Sequence, residues 1–151
     1  MGMKISMNFS MDQDDLGRYA NAADLRHFYE SFSLSGLEVM PLGEDPQHLV
    51  EKDMVTGVHL CCITDWMDLD QEMLLSHYRR DLDYARRMRA ECVVFHVTQV
   101  SYAESLTYEM RHSDAEVVDA AAAFINELLD GQDYPFWFLM ENLWWPGLNM
   151  L

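Results

Sequence analysis

The chain is poor in basic residues, in cysteine and in long apolar runs, and each shortage narrows what it can be. Ten Lys and Arg stand against 26 Asp and Glu in 151 residues, giving a formal charge of -16 and a pI near 4.4. So acidic a surface repels phosphate backbones and anionic headgroups, which argues against nucleic acid and against a membrane as partners. No apolar stretch approaches the roughly 20 residues of a membrane span. The first fifteen residues hold one Lys and turn acidic early, unlike a secretory leader. Three cysteines, Cys61, Cys62 and Cys92, are odd in number and form no C-x-x-C. That is neither a disulfide framework nor a zinc knuckle, and it fits reduced thiols in a cytoplasmic protein. A glycine-rich phosphate loop is also missing. The position where a doubly wound nucleotide binder carries one reads Asn8-Phe9-Ser10-Met11-Asp12. No G-x-S-x-G elbow occurs, so a hydrolase nucleophile of that type is excluded.

What the chain does have is core material. Half of its residues are hydrophobic and 12% aromatic, enough to exclude disorder and to form one domain over residues 1–151. Twelve methionines read as core filler. Five short apolar runs recur: Met3–Phe9, Leu37–Leu42, Gly57–Ile63, Cys92–Val97 and Phe136–Met140. Helical patterns separate them. Leu25, Phe28 and Phe32 repeat at helical spacing and stop at Gly36. Pro46–Glu51 has room for a short helix. Asp68 with Gln71 reads as the start of a helix whose apolar stripe is Leu74, Tyr78, Leu82, Ala85 and Met88. Arg79, Arg80, Arg86, Arg87 and Arg89, with Asp81 and Asp83 among them, read as its solvated side. Ser113 with Glu116 is a capping box opening a helix with Val117, Ala121, Phe124, Ile125 and Leu128 on one side, ended by Gly131. The irregular stretch Thr98–His112 has the length of an active-site lid.

This alternation predicts an α/β fold of about five parallel strands with four intervening helical segments. Two architectures fit it: a five-stranded doubly wound sheet, or the first part of a (βα)8 barrel. Three polar residues interrupt the apolar strand patterns at their carboxyl ends, His59, His96 and Glu141. Ligand and catalytic groups gather at that end of parallel sheets. Two imidazoles and a carboxylate suit a divalent cation such as zinc or manganese, and the carboxylate alone suits a general base. A lone histidine at a strand end is more often a hydrogen-bonded, semi-buried residue, so the case rests on three recurring together. His27, His48, His77 and His112 read as solvated. Cys61 and Cys62 read as core rather than as a thiol–imidazole pair with His59.

The segments GVHL, VVFHV and FWFLMENLWWPGL, with the helix SDAEVVDAAAAFINELL between the last two, resemble the xylose-isomerase-like barrel superfamily. That superfamily includes sugar phosphate isomerases and epimerases and the endonucleases that cut at abasic sites. The resemblance covers nearly the whole chain, and ENLWWPGL is its most specific part. It implies a partial (βα)8 barrel holding strands one to five. It implies that Glu141 is a metal ligand and catalytic acid/base, and that His59 and His96 bind metal or substrate. It also implies that Asn142 lies beside that site, with Trp144 and Trp145 as an apolar wall above it. The substrate implied is a small sugar or sugar phosphate, and the cofactor a divalent metal, Mn or Zn. The family's remaining ligands come from strands six to eight of a barrel of about 250 residues. The expectation is therefore an incomplete barrel encoding at most half of that site, whose metal and activity depend on the rest. An open half-barrel exposes strand edges, which suits completion by a second copy. Three functions stay in play: part of a sugar isomerase or epimerase, a non-catalytic binding or assembly module, and the endonuclease branch, which the charge disfavours.

Overall fold

A computed structural model describes residues 4–10, 16–41, 49–61, 63, 66–96, 104 and 109–141. Five parallel strands form one sheet: β1 (Ser6–Ser10), β2 (Gly36–Met40), β3 (Val55–His59), β4 (Cys92–His96) and β5 (Trp137–Glu141). Three α-helices are described, α1 (Ala22–Ser31), α2 (Gln71–Met88) and α3 (Asp114–Leu129). The strands lie in the order in which the chain makes them, β1-β2-β3-β4-β5. A doubly wound sheet reverses direction at a switch point. This sheet has no reversal among the described residues. With right-handed crossovers throughout, sequential parallel strands put every connecting helix on the same face. The core agrees with this: Leu37, Val39, Val58, Val93 and Phe95 of the strands share one cluster with Leu25 and Tyr29 of α1, Leu74 and Leu82 of α2, and Phe124 and Leu128 of α3. Among the described residues no helix is long and apolar enough to cross a membrane.

The helix starts follow local chemistry. Asn21 caps α1 by accepting from the Asp24 N–H at 3.0 Å. The cap of α2 is Asp70, accepting from the Met73 N–H at 2.8 Å, two residues beyond the expected Asp68. Trp66–Asp68 instead form a short 3-10 turn. The Gln71 amide that was to complete the box at Asp68 donates to the Trp66 carbonyl. The capping box of α3 forms as expected from Ser113 and Glu116, and the two hydrogen bonds at Ser113 pull the Glu116 carboxyl down. After α3 the backbone turns at Gly131, with φ 65°.

Several expectations need correction. Helix α1 ends at Ser31, and its turn passes through Ser33 in the left-handed region. Gly36 is therefore no helix stop. It opens β2, where a Cβ would lie 2.5 Å from the Met54 carbonyl oxygen. The space it leaves lets Thr56 reach across to the Ser6 hydroxyl at 2.6 Å and the Leu37 carbonyl at 2.9 Å. The buried face of α1 is Leu25 and Tyr29. Phe28 and Phe32 are exposed, stacked edge-on with ring centroids 5.3 Å apart. Of the methionines, Met54 and Met88 fill the core, whereas Met73, Met110 and Met140 are exposed. Between β2 and β3 the described structure is a 3-10 turn, Lys52–Met54. The expected short helix at Pro46–Glu51 falls largely outside the described residues. The stripe of α2 is buried as expected, but it includes Asp81, which is 1% exposed.

Candidate metal centre

Strands alternate their side chains, and register partners in a parallel sheet share a face. Phe95 touches Trp66 and Tyr78, with centroids 5.5 and 5.2 Å away, so the odd positions of β4 face the helices. Cys92, Val94 and His96 therefore face the other way. The pairings His59↔Val94 and His96↔Glu141 bring His59 and Glu141 to that same face, at the carboxyl ends of three adjacent strands. Asn8 and Glu38 join it through their pairing, with the Asn8 amide donating to Glu38 at 3.4 Å. A Cβ at Gly57 would lie 3.1 Å from the Cys92 sulfur and in ordinary contact with Glu38.

His59, His96 and Glu141 meet as the sequence suggests. Each offers a ligand atom within 4.8 Å of the other two. The imidazoles pack edge to face with centroids 4.5 Å apart. His96 Nε2 is 2.9 Å from Glu141 Oε2, and His59 Nε2 is 3.8 Å from the same oxygen. Both histidines are buried, while the Glu141 side chain is 53% exposed, so the cluster is open on the carboxylate side. His59 Nδ1 lies 3.0 Å from the Leu60 carbonyl oxygen. A carbonyl only accepts, so Nδ1 is the donor to it, and Nε2 is the nitrogen that faces Glu141. Metal-binding histidines are held in this way by a hydrogen bond at their far nitrogen. The donor set, two imidazole nitrogens and one carboxylate, suits zinc or manganese and leaves a coordination position open. Binding there would displace the proton that His96 donates to Glu141.

Asn142, Trp144 and Trp145 lie outside the described residues, as does Cys62. Cys61 is half-buried rather than core; Cys92 is half-buried as well, and burial pushes its thiol up. His27 is exposed as expected. His112 is only partly exposed, 3.9 Å from Asp68. Most of the candidate lid, Thr98–His112, is outside the described residues, but Glu104 and residues 109–112 are described. Glu104 is buried and accepts from the Arg111 N–H at 2.7 Å and its guanidinium at 2.9 Å. The same guanidinium reaches Asp68 at 2.8 Å. These contacts tie the connection after β4 to the connection after β3, on the end of the sheet that carries the cluster.

Two buried acids were not legible as such, Asp81 and Glu104. A signal existed for Asp81. It lies seven residues after Leu74, three after Tyr78 and four before Ala85, so it falls on the apolar stripe itself. Glu104 carried no comparable signal, because it sits in an irregular segment. No known family model matches the chain, and no curated protein matches it.

Proposed function

We propose that the chain forms strands one to five of a (βα)8 barrel of the xylose-isomerase-like kind and contributes to a metal-dependent sugar isomerase or epimerase. The barrel reading is supported by the sequential order of five parallel strands, with the helices on one face. The observation that carries the function is the convergence of His59, His96 and Glu141 at the carboxyl ends of β3, β4 and β5. A bound divalent cation would polarise a carbonyl oxygen of the substrate and so acidify the adjacent C–H. Within that scheme His59 and His96 hold the cation from a buried position. Glu141 completes the ligand set on the open side. The acidic surface favours a small sugar over DNA, because ten bases against 26 acids build no track for a phosphate backbone.

Calorimetric titration with Zn²⁺ and Mn²⁺ tests the site. Wild type is expected to bind one equivalent, and Glu141→Ala to lose more than about 100-fold in affinity. Wild type that binds neither metal would remove the proposal. Incubation of the metal-loaded protein with aldose and ketose phosphates in D₂O then tests the chemistry. Deuterium appearing at the carbon beside the carbonyl is the expected result.

A second reading is an assembly module. It is favoured by one observation: on β5, Trp137, Leu139 and Met140 expose large apolar side chains, Trp137 to 78%. The metal titration separates the two, since an assembly module binds neither Zn²⁺ nor Mn²⁺, while light scattering coupled to size exclusion shows whether it runs as a defined oligomer.

A further inference from the structure

The imidazole of His59 is held by a peptide group, and that peptide group is itself held. The Leu60 carbonyl, which accepts from His59 Nδ1 at 3.0 Å, belongs to the same planar unit as the Cys61 N–H. In a trans peptide the two point in opposite directions. The Cys61 N–H donates to Asp81 Oδ2 at 3.3 Å. The next carbonyl, that of Cys61, accepts from the Tyr78 hydroxyl at 3.0 Å. On the other side, the Leu60 N–H donates to the Val94 carbonyl at 2.9 Å, which continues the sheet ladder one residue past β3. The Leu60–Cys61 peptide is thus held directly by Asp81, while its two flanking peptides are held by β4 on one side and by Tyr78 of α2 on the other.

We infer that Asp81 is a positioning residue for His59, acting through the Leu60–Cys61 peptide with Tyr78 as its second clamp. The inference rests on the metal-site reading for its purpose, though not for its geometry. Asp81 draws the N–H toward α2 and thereby aims the carbonyl at His59 Nδ1. That holds the ring with Nδ1 on the peptide and Nε2 facing Glu141. Burying a carboxylate at 1% exposure inside an apolar stripe is costly, and a packing residue of the same size would avoid that cost. Its two oxygens are divided between different tasks. Oδ1 accepts from Arg80, at 3.2 and 3.3 Å, and Oδ2 serves Cys61.

The test reads His59 directly and without metal. Long-range ¹H–¹⁵N spectra of the imidazole show which nitrogen carries the proton, with the signal assigned by its loss in His59→Gln. Wild type is expected to be the Nδ1–H tautomer. Asp81→Ala is expected to give a mixture of tautomers, and Asp81→Asn, whose amide oxygen still accepts from Cys61, to restore the wild-type pattern. Tyr78→Phe keeps the ring and is expected to shift the pattern partway toward the mixture. Zn²⁺ affinity should fall about tenfold in Asp81→Ala and recover in Asp81→Asn. Unchanged His59 spectra in a folded Asp81→Ala overturn the inference. If that variant does not fold, Tyr78→Phe decides it, a shift supporting the inference and an unchanged spectrum overturning it. If wild type binds no zinc but the tautomers move as described, the positioning stands and only the metal reading falls.

Discussion

On one face of the sheet, Val39, Val58, Val93 and Phe95 pack under three helices. Trp66, Tyr78, Phe95 and Phe124 form a cluster there with ring centroids 4.5 to 5.5 Å apart. On the other face the same strands present Asn8, Glu38, Cys92, His59, His96 and Glu141, and β5 leaves Trp137 and Leu139 in solvent. The first face is where burial of apolar surface stabilises the fold. The second holds polar groups at short mutual distances and gives up packing to do so. The difference teaches that stability and chemistry are divided between two sides of strands only five residues long. Asp81 is the point where they touch. It sits among the packing residues, and its hydrogen bond leads through the Leu60–Cys61 peptide, just past the end of β3, to His59.

The largest effects are expected on the helix-covered face. Phe124→Ala removes a ring buried against Trp66 and Tyr78 and should cost about 3–5 kcal/mol, read as a shift in urea midpoint. A cost under about 1 kcal/mol would mean that this face is not the packed one. Gly36→Ala comes next. The new Cβ meets backbone at Met54 and forces β2 away from the turn before β3, so a loss of more than about 1 kcal/mol is expected in the same assay. Ser113→Ala removes the hydroxyl half of the α3 capping box, leaving the Glu116 carboxylate on the N–H of residue 113, and should cost about 1 kcal/mol, with reduced helicity by circular dichroism.

A pH series sharpens the place of Asp81. Burial raises its carboxyl above the usual range, with Arg80 opposing. A raised acid binds its proton more tightly in the folded state than in the unfolded chain. Its contribution to stability is therefore full at acid pH and is lost as pH rises through the folded-state value. Asp81→Asn does not titrate, so its stability relative to wild type should climb as pH rises out of the carboxylate range and then level off. Parallel curves would show that Asp81 is solvated. The smallest effect is expected on the open face. Trp137→Ala should change stability by no more than about 0.5 kcal/mol, since the ring is 78% exposed. A larger loss would reveal a partner covering β5.

Much of this was legible along the chain because it depends on neighbours in sequence. Strands of continuous apolar residues, the stripe of α2 and the reciprocal caps of Ser113 and Glu116 are set within one or two turns of backbone. The three polar residues at strand ends could be found for the same reason: each breaks a local apolar pattern. The start of α2 was misplaced by two residues because the Gln71 side chain bonds backward to a 3-10 turn, which no spacing rule reports. Phe28 and Phe32 misled because an apolar repeat gives a face, while which face meets the sheet is settled by Leu25 and Tyr29 packing on β2.

The sequence by itself determined the element types, their alternation and the residue types available at the strand ends, since these follow from local periodicity and capping. Tertiary structure alone decided the order of the strands and the register that lets His96 meet Glu141 across 45 residues. It also decided the burial of Asp81 against Cys61. The physical reason is that pairing and burial are properties of two segments at once. A residue's own neighbourhood fixes its backbone, but only the segment that arrives beside it fixes what its side chain can do.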